Sequence, residues 1–188
     1  MDKLVIDIET SNTFAEVGGA KNITWLRISL IGAYSYNQKK YLTFDENQIN
    51  EFGELLKKAG LIIGFAINRF DIPVLNKHYD FDLFNLNRLD ILDELELSSG
   101  RRVGLNILSE TNLGIGKTHS TGLEAVRLYK EGKIDELKEY CLNDVKLTKD
   151  LYELAKRQGF LSVPDRNTGK FVKAALDFEE KILPATLF

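Results

Sequence analysis

Residues 134–157 carry apolar side chains at helical spacing, and an aspartate sits in the middle of them. At about 100° per residue, Leu137, Thr148, Leu151 and Ala155 fall on the same side as Asp144, with Cys141 and Leu147 flanking that stripe. No Lys, Arg or His lies within the arc. A helix this long must bury its stripe against other elements, and a carboxylate carried inward with it is costly unless something pairs with it. Tyr140 lies one turn earlier, so its hydroxyl can reach the space in front of Asp144. On its own it would be an ordinary core aromatic with its hydroxyl at the surface. Beside an inward-facing acid, a functional role is the better reading.

Two further spots set acids among apolar residues. Residues 3–9 (KLVIDIE) read as a strand with Leu4, Ile6 and Ile8 on one face, which puts Asp7 and Glu9 together on the other. Two carboxylates side by side can share a metal, and the alternative is a half-exposed strand with an outer face of Lys3, Val5, Asp7 and Glu9. Asp71 follows the apolar run 61–65 (LIIGF) and opens a helix reaching about residue 78, with Pro73 suited to its first turn. It serves either as that helix's N-cap or as a site residue at the end of a buried strand, where α/β sheets often place function. Converging carboxylates repel one another, and a divalent cation is the usual remedy.

The remaining pattern fixes the fold class. Residues 10–25 read as a loop, and 26–36 and 39–44 as two strands joined by a tight turn at Asn37-Gln38. A helix over 47–59 stops at Gly60, and 88–92 (RLDIL) forms a last short strand. Helices follow at 105–112, 121–130 and 134–157, the last ended by Gly159. A small hairpin at 160–178 turns around Arg166-Asn167-Thr168-Gly169. A three-strand antiparallel meander followed by parallel strands alternating with helices predicts an α/β mixed sheet flanked by helices. The 188 residues are expected to form one domain, with 160–188 a C-terminal extension. The single cysteine excludes an internal disulfide framework and suits a reducing, cytoplasmic setting. No run approaches the roughly 18 apolar residues of a membrane span, and no signal peptide is evident. A net charge of −3 gives no sign of a duplex-binding face, which leaves a local basic rim drawn from Lys39, Lys40, Arg101, Arg102 and Lys117.

Taken in order, VIDIET with Asp7 and Glu9, Phe70-Asp71, and Tyr140-Cys-Leu-Asn-Asp144 resemble the three motifs of the DEDD group, 3′–5′ exonucleases of the ribonuclease-H-like superfamily. The resemblance spans residues 3–157. Tyrosine four residues before the last aspartate looks like the tyrosine subclass (DEDDy), since the histidine of the other subclass would fall at Glu139. One departure stands out: the family asparagine falls where this chain has Ala66 or Ile67, and Asn68 lies nearer to Phe-Asp.

The resemblance implies a ribonuclease-H-like sheet and hydrolysis of terminal phosphodiesters of single-stranded DNA or RNA to nucleoside monophosphates. It implies two Mg²⁺ or Mn²⁺ ions, about 3.5–4 Å apart, held by Asp7, Glu9, Asp71 and Asp144. Asp7 would bridge both ions and Tyr140 would orient the attacking water. Thr10, Phe14, Trp25, Asn68 and Phe70 are expected to contact the 3′ nucleotide, the loop at 10–25 clamping it. No polymerase or helicase domain is expected beside this core, so the expectation is that it acts alone or with a separate one. The competing reading is a catalytically silent nucleic-acid or protein-binding module on the same fold, and a third is an endonuclease of the superfamily.

Other features carry no chemistry. Gly116-Lys117-Thr118 ends like a phosphate-binding loop, but Thr111 stands where that motif needs glycine. His78 and His119 have no partner at ligand spacing and read as structural or surface residues. Cys141 reads as packing, and Asp90, Asp93, Glu94 and Glu96 as a solvated strand edge and helix start.

Overall fold

The computed structural model describes residues 1–116, 122–165 and 168–178. Five strands form one sheet in the order β3-β2-β1-β4-β5: β1 (Asp2–Thr10), β2 (Ile28–Ser35), β3 (Lys40–Asp45), β4 (Ala59–Gly64) and β5 (Arg88–Asp90). β1, β2 and β3 pair antiparallel, and β4 and β5 join β1 in parallel. This is the expected mixed sheet. The helices are α1 (Ile49–Leu56), α2 (Asp71–Asn76), α3 (Ile91–Ser99), α4 (Leu105–Leu113), α5 (Leu123–Lys130) and α6 (Ile134–Gln158).

Strand alternation divides the core. Leu4, Ile6 and Ile8 pack with Phe52, Leu56 and Ile72 on the side of α1 and α2. Val5 packs with Val145, Leu151 and Ala155 of α6 on the other. The face carrying Lys3, Val5, Asp7 and Glu9 is therefore packed against a helix and is not a solvated outer face: Val5 and Glu9 are buried, and Lys3 and Asp7 half-buried. Close approach of α6 depends on Gly32, which pairs with Asp7 across β1 and β2. A Cβ there would lie 2.7 Å from Cys141 Sγ and 3.0 Å from Val145 Cγ2. At the far end of α6, Gly159 takes a left-handed φ of 78° and its amide closes onto Ala155.

Several expectations need correction. Gly60 does not stop α1, which ends at Leu56, and lies inside β4. The strand placed at 88–92 covers only Arg88–Asp90 and turns directly into α3, the helix whose start, but not its extent, the sequence placed among Asp90, Asp93, Glu94 and Glu96. Asp90 is not solvated. It is buried and accepts hydrogen bonds from the amides of Ala66 (2.8 Å), Asn68 (2.9 Å) and Leu92 (3.0 Å), which caps α3 and ties down the loop before α2. Ala66 in that loop adopts a left-handed φ of 64°. Burial is the main cause that raises the Asp90 carboxyl above the ordinary range.

The predicted hairpin is present as β6 (Phe160–Pro164) and β7 (Phe171–Ala175). It packs through Leu161, Val163 and Ala174 into the core, and the Asn112 side chain bonds both the amide and the carbonyl of Ser162 at 2.8 Å. Arg166, Asn167, Lys117 and His119 lie outside the described residues. No helix among the described residues is long and apolar enough to cross a membrane.

Candidate active site

The acids gather where α6 crosses the C-terminal half of β1. Side-chain ligand atoms of Asp7, Glu9 and Cys141 all lie within 4.8 Å of one another. Asp7 and Glu9 share a face because one strand residue separates them, and α6 brings Tyr140, Cys141 and Asp144 over that face. The Cys141 thiol sits 3.6 Å from Asp7 Oδ2 and 3.7 Å from its backbone oxygen. Glu9, Asp71, Tyr140 and Asp144 are all buried, and Asp7 is half-buried.

Asp71 reaches the cluster from the other side. β4 pairs with β1 only as far as Val5. Three residues beyond, the Ile8 amide is taken by Asp71 Oδ1 at 3.0 Å. Asp71 is the first residue of α2, not its N-cap, which is Phe70. Its carboxyl therefore bridges to β1 across 63 positions of sequence.

The electrostatics follow from like charges in a confined space. Burial first, then the negative charges of Asp90 and Asp144, push the Asp71 carboxyl up to about 7, against the lowering effect of its backbone hydrogen bonds. The Tyr140 hydroxyl is pushed well above its usual range by burial, then by Glu9, Asp144 and Asp7. Burial and the same three carboxylates raise the Cys141 thiol. Both groups therefore stay protonated at neutral pH. The donor set fits hard divalent cations: the carboxylates of Asp7 and Glu9 lie within reach of one ion, Asp144 is an electrostatic neighbour of both the Tyr140 hydroxyl and Asp71, and the one soft ligand in the group remains a neutral thiol. Asp7 and Glu9 could hold such an ion between them, and Asp71 and Asp144 are the nearby acids that could join them.

A cleft of about 320 Å³ opens beside Glu9, lined among others by Thr10, Asn12, Phe14, Leu26 and Phe70 of the loop side and by Leu123 and Val126 of α5. Phe14 meets Phe70 edge-to-face at 5.9 Å. Thr10, Phe14 and Phe70 thus face the same space as Glu9. The other two residues expected there do not line it. Trp25 ends a 3-10 turn (Ala20–Trp25) with its side chain 67% exposed. The Asn68 amide is engaged by Asp93 (2.8 Å) and Arg88 (3.0 Å), so its geometry lends no support to a role at the 3′ nucleotide.

Among the described residues the expected basic rim gains no support. Lys40 pairs with Ser35 and thence Leu4, at the end of the sheet away from Glu9, and Lys39 precedes it. Arg101 is paired with Asp165 at 2.9 Å and Arg102 with Glu96 at 3.5 Å. Sequence reasoning missed Cys141 as a neighbour of the acids and Gly32 as the seat of α6. A glycine inside an otherwise bulky strand, ISLIGAYS, was the available signal for the second.

Comparison with known proteins agrees with this architecture. A family B DNA polymerase from the hyperthermophilic archaeon Pyrobaculum calidifontis superposes with a TM-score of 0.65 at 17% sequence identity, over 82% of this chain and 24% of the polymerase. This chain thus corresponds to about a quarter of that enzyme, and the likeness is one of fold. A search of curated proteins returns no match. The sequence profile of the RNase H superfamily matches residues 4–156, from the strand that bears Asp7 and Glu9 to the helix that bears Tyr140 and Asp144. With its five-strand sheet in the same span, the chain belongs to the RNase H superfamily.

Proposed function

We propose that the protein is a metal-dependent 3′–5′ exonuclease of the tyrosine (DEDDy) subclass, acting on single-stranded nucleic acid. Membership of the RNase H superfamily supports nuclease chemistry in general. The observation that carries the finer reading is the meeting of Asp7 and Glu9 from β1, Asp71 from α2, and Tyr140 and Asp144 from α6, beside an aromatic-walled cleft.

In this reading Asp7, Glu9, Asp71 and Asp144 hold two Mg²⁺ or Mn²⁺ ions. The ions, when bound, supply the positive charge that makes water nucleophilic at neutral pH and stabilises the departing 3′ oxygen. The chain does the rest. Tyr140 remains a phenol in its acidic surroundings, so it acts through a hydrogen bond that orients the water and not as a base. Phe14 and Phe70 offer an apolar wall for the terminal base, worth roughly 1–3 kcal/mol of stacking. That wall reads no sequence. Discrimination of RNA from DNA requires a contact to the 2′-hydroxyl, and a separate helicase or polymerase would supply single strands.

The test is a 5′-labelled single strand, DNA and RNA in parallel, incubated with Mg²⁺ or Mn²⁺. A ladder shortening from the 3′ end is expected. Internal cuts would favour an endonuclease, and an intact strand a silent module. Asp7→Asn should remove activity nearly completely, and Tyr140→Phe should lower turnover with the fold intact. Wild-type cutting by Asp7→Asn would overturn the metal assignment.

A further inference from the structure

A second cavity, about 590 Å³, lies next to the aromatic cleft and is not used by the chemistry above. Its walls include Ser11, Arg27, Lys77, His78, Tyr129 and Lys130. The two spaces share a partition. Ser11 donates its amide to the Arg27 carbonyl at 2.8 Å, and the Arg27 amide donates to Asn12 Oδ1 at 2.8 Å. Asn12 lines the aromatic cleft, while Ser11 and Arg27 line the second cavity, two residues past Glu9.

The cations there are not equivalent. Lys130 is paired with Glu16 at 2.8 Å. The Lys77 ammonium is anchored on the carbonyls of Thr24 (2.6 Å) and Leu26 (2.5 Å), which fixes its charge at the wall without neutralising it. Among the described residues the Arg27 guanidinium has neither an ion pair nor a side-chain hydrogen bond. The one carboxylate lining the cavity, Glu46, accepts the Tyr129 hydroxyl. His78 adds a second sign. Its Nε2 is buried with no hydrogen-bond partner among the described residues, and burial followed by the Lys77 charge lowers its pKa, so the neighbourhood disfavours a further proton. A buried polar atom left open among the described residues is available to a hydrogen-bonding ligand that enters the cavity. An unpaired guanidinium beside an anchored ammonium would suit an anion with several oxygens, whereas the Ser11 hydroxyl is already engaged, donating to the Arg27 carbonyl at 3.4 Å.

We infer that this cavity, with Arg27 as its principal contact, binds a backbone phosphate of the nucleic-acid strand, upstream of the nucleotide seated in the aromatic cleft. This rests on the nuclease reading and extends it: the strand is gripped at two separated points, one by stacking and one by charge. A free phosphate has the same chemistry, and the experiment separates the two sources.

The full-length chain carrying Asp7→Asn, which spares the strand, is compared with the same chain carrying Arg27→Glu as well. Fluorescence anisotropy follows 5′-labelled oligonucleotides of two and ten residues over a range of salt, with thermal melting as a check on folding. Loss of a charge-assisted contact should weaken ten-residue binding by about tenfold or more. It should also reduce the slope of log affinity against log salt by about one. Competition by inorganic phosphate and by a nucleoside 5′-monophosphate should be unchanged. Equal ten-residue affinity in the two proteins overturns the proposal, as does an Arg27-dependent loss confined to inorganic phosphate. If the parent chain binds no strand of either length, the nuclease reading itself fails, which is a different result from equal binding by both.

Discussion

Gly32→Ala is the smallest change that reaches the packing on which the acidic cluster depends. Gly32 has no left-handed backbone requirement, so alanine adds only its methyl. That methyl would stand 2.7 Å from Cys141 Sγ and 3.0 Å from Val145 Cγ2, where non-bonded heavy atoms prefer about 3.5–4.0 Å. To restore contact distance α6 must retreat by roughly 1 Å. Overpacking of this kind costs about 1–3 kcal/mol. The opposing gain, reduced freedom of the unfolded chain, is about 0.4–1 kcal/mol, so the steric effect wins and the variant is less stable. Urea midpoints measure this directly. Tyr140 and Asp144 ride on the same helix as the displaced residues, and a 1 Å misplacement can cost about a hundredfold in rate. Turnover should therefore fall more than stability alone explains. Adding Cys141→Ala removes the nearer obstacle but leaves Val145, so recovery should be partial, with a favourable coupling of at least about 0.5 kcal/mol in the double-mutant cycle. An unchanged urea midpoint and unchanged rate for Gly32→Ala would refute the reasoning.

Two further changes probe the supports of the site. Asp71 has its folded-state pKa raised to about 7 from 3.8, so the metal-free native state binds a proton that the unfolded chain releases. Its contribution is full below pH 4 and is lost as pH rises towards 7 and beyond. Urea midpoints in chelator should fall across that window, and Asp71→Asn should flatten the fall; a rise in wild type would contradict the assignment. Asp90→Ala leaves the amides of Ala66, Asn68 and Leu92 without their acceptor and should cost about 3 kcal/mol, while Asp90→Asn, which keeps one acceptor oxygen, loses less. Equal midpoints for Asp90→Ala and wild type would remove Asp90 as the anchor of the loop before α2.

Much of the architecture was legible because period and burial agree. The stripe of Leu137, Thr148, Leu151 and Ala155 reappears as the buried face of α6, and the alternation of Leu4, Ile6 and Ile8 as one wall of the core. What stayed hidden depends on contacts distant in sequence. DELELSS reads as polar and solvated, yet Ile91, Leu92 and Leu95 are enough to bury α3 once the capping carboxylate of Asp90 is itself enclosed. Asp71 could be read from the sequence as a helix cap or a site residue, but its bond to the Ile8 amide appears only where β4 diverges from β1. Cys141 flanks the stripe in any helical projection, and only the crossing of α6 over Gly32 brings its sulfur to Asp7. Lys39 and Lys40 dropped out of the expected basic rim for the same reason, since they are near Glu9 in neither strand order nor register.

The claim beneath the proposed chemistry is that acids from separate elements hold metal jointly. Calorimetric titration of the metal-free protein with Mn²⁺ tests it without any substrate. Saturable binding is expected for the wild type, and a loss of about tenfold or more in affinity for both Asp7→Asn on β1 and Asp144→Asn on α6. If both variants bind Mn²⁺ as tightly as the wild type, or if the wild type binds none, the acids do not form a shared metal centre.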